Sequence, residues 1–479
     1  MAETFFFYDL ETTSVSPRTG RIMQFAGQRT DMNLESVGEP VNVLIKLTPD
    51  VVPEPDAILV TGITPQKTLE EGITEAEFLK LFTDEVATPG TIFTGFNTVR
   101  FDDEFMRFLH YRNFYDPYEW QWQDNRSRWD LLDVVRMTRA LRPEGITWPF
   151  ASDGKPSNRL ELLTSVNNIA HENAHDALAD VTASIAVARL LREKQPKLFT
   201  YLLGLRSKKQ AAELVGKGEP FVYTTGQYAS EFEKTSVAVA LAPNPKKQGV
   251  FVYDLRHDPS VYKDSTAEQL AEAWKWKREA SEPRLPVKTL QFNKCPAIAP
   301  LGVLTAENQT RLGLDSQVIN QHLKTLADMP GFTERLLAAA EILDKQQQTS
   351  FLAEPKEVDA QLYDGFFSDT DRTLERAFRA AKPDELSDFA DQFGDLRLQA
   401  LVPLYKARNY PSSLTDDERQ AWDAHCKRIL LDGGEKSRLA RYFARLGELA
   451  SMPKLTTEKQ YLLEELQLYG QSIMPDIEG

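Results

Sequence analysis

Cysteine is nearly missing from this chain of 479 residues: only Cys295 and Cys426 occur, far apart and outside any CxxC pair. That excludes a zinc ribbon and a disulfide scaffold, and leaves two reduced thiols. Long apolar runs are missing too. No stretch approaches the roughly 20 residues that span a bilayer. The apolar opening at 5–8 is too short for a signal peptide, lacks a basic flank and runs straight into Asp9 and Glu11. A soluble cytoplasmic protein with no membrane contact is the expectation. Net positive charge is also absent. A formal charge of -15 and a pI near 5.1 argue against a surface that coats phosphate with a basic face. Net charge is a sum, however, and fields fade over about 8 Å at physiological salt. A local arginine-rich groove with a bound divalent cation can still hold a polyanion.

What is present is the composition of a folded protein too long for one core, so two to four domains are expected. The first 195 residues read as α/β. Strands are expected at 4–10, 22–29, 41–47 and 91–96, and helices at 76–86, 105–112, 131–141, 159–166 and 175–194. Gln195-Pro196 stops the last of these. Residues 196–352 carry short β-like runs at 221–223, 236–242, 250–255 and 287–292, with helical pieces at 267–277 and 315–326; a small β-barrel-like domain with insertions is the reading. After a polar linker at 353–358, the segment to 479 is a helical domain, with helices at 372–381, 384–393, 395–408, 415–430, 435–450 and 457–468.

Three features carry chemistry. The first is Asp9-Leu10-Glu11 at the end of an apolar strand. Alternation puts both carboxylates on one face, where a cation relieves their repulsion; oxygen-only ligands suit Mg²⁺ or Mn²⁺. The second is the stretch from Gly95 to Asp102, a strand exit entering a helix. Asn97 can hold the turn through its side chain, and Asp102 can reach a metal at the sheet edge. Asp103 and Glu104 read as solvated first-turn acids that complement the helix dipole. The third is His175-Asp176-Ala177-Leu178-Ala179-Asp180. Positions five apart on one helix diverge by about 140°. His175 and Asp180 therefore converge only if His175 lies in the loop before the helix, with Asp176 as N-cap.

The order of these motifs, D-x-E, then N-x₃-F-D, then H-x₄-D, resembles that of the DEDD exonucleases in their histidine variant, which have a ribonuclease H-like fold. LVTGITP at 59–65 resembles a nucleotide-contacting loop of that group. Further stretches resemble the bacterial exonuclease I family: FDDE at 101–104, YRNFYDPY at 111–118, SRWDLLD at 127–133, LRPEGI at 141–146, VK at 287–288 with NKCP at 293–296, and QLYDGFFSD at 361–369. They are spread over the whole chain except the last helices.

The resemblance implies 3′→5′ hydrolysis of single-stranded DNA to 5′-mononucleotides, in DNA repair and recombination, by a monomer. Asp9, Glu11, Asp102 and Asp180 would hold two Mg²⁺ ions, with Mn²⁺ as substitute, about 4 Å apart. His175 would be the general base, its unperturbed pKa of about 6.5 suiting proton removal near neutrality. The stretch from Arg100 to Arg142 interleaves arginines with aromatics and has no lysine. Arginine pairs with phosphate and aromatics stack on unpaired bases, while Trp129 and Phe114 read as core. By matching to the family, Arg107, Tyr118, Trp122, Arg136 and Arg159 are the strand contacts, together with Glu11. Arg142 and Tyr201 match a pocket for the acidic C-terminal tail of single-stranded DNA-binding protein. The rival readings are an oligoribonuclease or proofreading-type exonuclease, and a binding module without catalysis.

Overall fold

The aromatic run Phe5-Phe6-Phe7-Tyr8 lies at the centre of a sheet whose strand β1 spans Thr4–Thr12. The computed structural model describes residues 3–171, 176–275, 284–353 and 356–475. The chain forms two compact units: residues 1–127, 171–182 and 356–479 make the first, and 128–170 with 183–355 the second.

In the first unit β1 pairs antiparallel with β2 (Ile22–Thr30), which pairs with β3 (Val41–Leu44). On its other side β1 pairs parallel with β4 (Thr91–Thr94). The sheet order is β3-β2-β1-β4, with β5 (Ser127–Arg128) at the edge. β1 is apolar on both faces because both are covered, and Phe6, Tyr8, Phe25, Phe78, Phe82 and Phe93 form one core. The helix Glu75–Leu81 that supplies Phe78 begins with a capping box of Thr74 and Glu77.

The C-terminal helices belong to the same unit. Leu439, Tyr442, Leu446, Leu462 and Leu466 share a core with Met23, Leu47, Ile58 and Ile63. A further core joins Phe108, Tyr111 and Phe114 to Phe378, Leu398, Leu401 and Tyr405. Arg408 donates to both Asp50 and Asp359, and Arg21 also reaches Asp359 at 2.5 Å. All four side chains are buried, so each charge in this network depends on its partner.

Several expected helices differ: that at 76–86 is α only over Glu75–Leu81 and continues as a π-helix over Phe82–Val86. The stretch near 384–393 is a 3-10 helix over Pro383–Gln392. The one expected from 435 begins at Arg438, because Gly433 and Gly434 take positive φ and Ser437 is the N-cap, accepting from the Ala440 amide. Short helices at Pro55–Thr61 and Pro65–Glu71 flank Gly62, whose φ of 69° ends the first.

The second unit contains an antiparallel sheet of β6 (Phe221–Thr224), β7 (Thr235–Pro243), β8 (Gly249–Asp254), β9 (Val287–Gln291) and β10 (Ala297–Pro300). Its order is β10-β6-β7-β8-β9. The helix Ala267–Trp274 lies between β8 and β9 in the sequence. A 22-residue helix, Phe332–Ala353, occupies ground for which no helix was expected. Among the described residues no helix is long and apolar enough to cross a membrane.

Candidate active site

β1 delivers the first two carboxylates. In its register with β2, Asp9 faces Ala26 and Glu11 faces Gln24. Two residues apart on a strand, the side chains leave the same face. The third carboxylate comes from the helix Ala177–Lys194. Asp176 caps that helix by accepting from the Ala179 amide at 3.1 Å, as expected, and Asp180 comes one turn later. The ligand oxygens of Asp9, Glu11 and Asp180 all lie within 4.8 Å of one another.

Asp102 is the first residue of the helix Asp102–Arg112 and is buried. It is not one of that close group. The turn leading to it is tight. A Cβ on Gly95 would meet the Tyr8 carbonyl oxygen and Thr98 Cγ2 at 2.4 Å each. Asn97 takes the left-handed conformation, φ 75°, and its carbonyl accepts from the Arg100 and Phe101 amides. Asp103 is not the solvated acid expected: it is buried, and Tyr8 donates to its carboxylate at 2.5 Å. Glu104 accepts from Arg107 and from Tyr363. These partners are 95 and 259 residues away for Tyr8 and Tyr363, beyond the reach of any local pattern.

The site is electrostatically unbalanced. Burial, then the nearby Asp180 and Asp176, push Asp9 well above the usual carboxylate range. Burial, then Asp9, Asp180 and Asp176, push Glu11 up to about 9. Metal-free, these groups favour protons; a divalent cation would take the protons' place. An all-oxygen donor set fits a hard divalent ion. Asp176 therefore contributes charge as well as a cap, a role its sequence position did not reveal.

His171 was also missed. Its Nε2 lies 2.6 Å from Asp180 Oδ1, and it is nearly covered. The signal available was a second histidine in the segment before the helix, four residues ahead of His175. His175 itself lies outside the described residues.

The expected strand contacts fall as follows. In the first unit Arg107 is buried, donates to Glu104 and Gln121, and sits 5.4 Å from the Tyr118 ring centre. Trp122 is 62% exposed, whereas Trp129 and Phe114 are core, as read. In the second unit Arg136 donates to Asp133 at 2.7 Å, and Arg159 pairs with Glu161 while remaining largely exposed. Also there, Arg142 donates to Val303 and Asn308, and Tyr201 donates to Ile298 at 3.1 Å. Both thus bind the segment around 298–308.

Three family models match this chain: Exonuclease over residues 6–188, Exonuclease I SH3-like domain over 206–340, and Exonuclease I C-terminal domain over 356–473. It is 39% identical to exodeoxyribonuclease I of Haemophilus influenzae over 474 residues, 98% of either chain. The Escherichia coli enzyme is 39% identical over 476 residues, again 98% of either chain. The chain belongs to the exonuclease I family.

A crystal structure of Escherichia coli exonuclease I with a dA16 oligonucleotide superposes with a TM-score of 0.91 at 38% identity, covering 98% of this chain and all of that one. The same enzyme has been solved as a zinc-bound complex with single-stranded DNA, and a further similar structure is of SSB/exonuclease I with an inhibitor. Family membership makes the chain a nuclease with a ribonuclease H-like exonuclease domain, an SH3-like domain and a helical C-terminal domain.

Proposed function

We propose that this chain removes nucleotides from the 3′ end of single-stranded DNA, releasing 5′-mononucleotides, with Mg²⁺ as its metal. The observation that carries the reading is the convergence of Asp9, Glu11 and Asp180 within 4.8 Å. Asp102 completes the ligand set on motif order. When bound, divalent ions lower the pKa of coordinated water and stabilise the charge that develops on phosphate and leaving oxygen. The chain's own part is to hold the oxygen donors ready. β1 fixes Asp9 and Glu11, the Asp176 cap fixes the helix that carries Asp180, and His171 holds one Asp180 oxygen. His175 takes the proton of the attacking water.

Trp122 is exposed enough to stack on an unpaired base, and the Arg107–Tyr118 pair, with Arg136 and Arg159, is assigned to the strand. Arg142 and Tyr201 are assigned to the acidic tail of single-stranded DNA-binding protein, where a cation beside an apolar surface meets a carboxylate. The organisation proposed is 1–195, 196–352 and 353–479, in a cytoplasmic monomer acting in DNA repair.

The test is digestion of 5′-labelled single-stranded DNA, matched RNA and blunt duplex, with Mg²⁺ or chelator, beside His175→Ala. Metal-dependent shortening of the DNA alone, reduced at least about a hundredfold in the variant, is expected. Degradation mainly of RNA would move the chain to the oligoribonuclease reading. Binding without cleavage would leave only a binding module.

A further inference from the structure

A cavity of about 500 Å³ lies wholly within the first unit, beside β1 but beyond its metal-site carboxylates. Thr13 is in its wall, two residues past Glu11, so the two backbones are within about 7 Å along the strand. Its volume falls in the range of small-molecule sites, about 300–1,000 Å³. The wall is rich in guanidinium. Arg21 and Arg408 are spent on Asp359 and Asp50, and Arg445 on Asp56. Glu357, also in the wall, is held by Arg428. The remaining acid, Glu54, is held toward its protonated form by burial and by Asp56.

Besides Arg18, the wall's remaining arginines are Arg438 and Arg441. Both line the cavity from one face of the helix Arg438–Ala450, and among the described residues neither makes an ion pair. Among the described residues Arg441 donates to the Ser437 carbonyl alone, at 3.4 Å.

His425 supplies a second, independent observation. Arg428 approaches its Nδ1 at 3.5 Å, and a guanidinium can only donate. Nδ1 therefore accepts and Nε2 carries the hydrogen. Among the described residues that Nε2 is buried without a hydrogen-bond partner, and Asp50 Oδ2 is 3.9 Å away, too far to accept. Burial lowers the pKa of this imidazole, which keeps it neutral near pH 7. Arg438 is near enough to Glu357 to help lower its pKa but forms no ion pair with it. A buried donor and two guanidiniums that make no ion pair among the described residues share one wall, and each is satisfied by the same group, an oxyanion.

We infer that this cavity binds a phosphate group through Arg438, Arg441 and His425, and that its occupant is a phosphate monoester of the class the exonuclease would release. The identity of the occupant as a product rests on the proposed function; the anion site does not. A product held there leaves the metal site free for the next phosphodiester and accumulates as a bound nucleotide.

The experiment is equilibrium dialysis of the full chain, in chelator to keep ligand off the metal site, against 5′-dAMP, inorganic phosphate and deoxyadenosine. Wild type is compared with Arg438→Gln/Arg441→Gln, both partly exposed positions whose loss leaves the core intact. Arg438 opens its helix, where losing a positive charge does not weaken the dipole. Saturable binding of 5′-dAMP and none of deoxyadenosine is expected, weakened at least about tenfold in the variant because two charge-assisted hydrogen bonds are lost. The thermal midpoint and the initial rate on DNA should match wild type. Phosphate binding as tightly as 5′-dAMP, with the same loss, supports the site and names phosphate as occupant. Binding with no DNA digestion would sink the exonuclease reading and leave the site standing. Equal binding by both proteins, or by neither, overturns the inference.

Discussion

At the scale of single residues, the site is defined by which carboxylates are buried together. Glu11 has its pKa raised to about 9 against an ordinary 4.5, first by burial and then by Asp9. A raised acid binds more protons folded than unfolded between those two values. Stability of the metal-free protein should therefore fall as pH rises from about 5 to 9. Mg²⁺ should raise the thermal midpoint more at pH 9 than at pH 6. A midpoint that climbs with pH in chelator, read by scanning calorimetry, would contradict this. Asp102 and Asp103 give a sharper contrast. Asp102→Asn should lose at least about a hundredfold in kcat with the fold intact. Asp103→Asn should keep more activity and lose stability, because Tyr8 donates to that carboxylate in a buried place. The reverse pattern would shift the motif register by one. The sequence shows the D-x-E pair because strand alternation is a local rule. It does not show that Asp103 is buried, since the covering Tyr8 lies in a different element. Nor does any periodicity join His171 to Asp180 across a loop.

At the scale of elements, the end of β1 and the start of the helix Ala177–Lys194 converge on one carboxylate group, and the helix Asp102–Arg112 is tied to β1 through Tyr8 and Asp103. The turn into that helix works only because Gly95 lets the chain pass against the Tyr8 carbonyl. Gly95→Ala would place a methyl at 2.4 Å from that backbone atom and from Thr98. A loss of about 1–3 kcal/mol in stability is expected from such overpacking, with a matching loss of activity from the displaced β1. Denaturant unfolding reads the first quantity, and a wild-type midpoint would remove Gly95 from the account. The strands and long amphipathic helices were legible in the sequence because their apolar spacing repeats. Pro55–Thr61 and Pro65–Glu71 were not, since seven residues give fewer than two repeats of the helical period. The helix Phe332–Ala353 escaped because its apolar positions are alanine-rich and interrupted by glutamines.

At the scale of the whole molecule, segments far apart in sequence share cores. The C-terminal helices share two cores and a buried Arg21–Asp359–Arg408–Asp50 network with the strand-bearing segment. Composition told only that several cores were needed; which segments share one was set by complementary faces far apart in sequence. The central claim is that the carboxylates of β1 and of the helix Ala177–Lys194 form one divalent-metal site that drives cleavage of single-stranded DNA. Its most direct test is a Mn²⁺ titration monitored by electron paramagnetic resonance, on wild type, Asp9→Asn and Asp180→Asn, with cleavage of single-stranded DNA measured in the same samples. Wild type should bind Mn²⁺ and cleave, and each variant should lose at least about tenfold in metal affinity together with most of its cleavage. Variants that bind Mn²⁺ as tightly as wild type and still shorten the DNA would contradict the account.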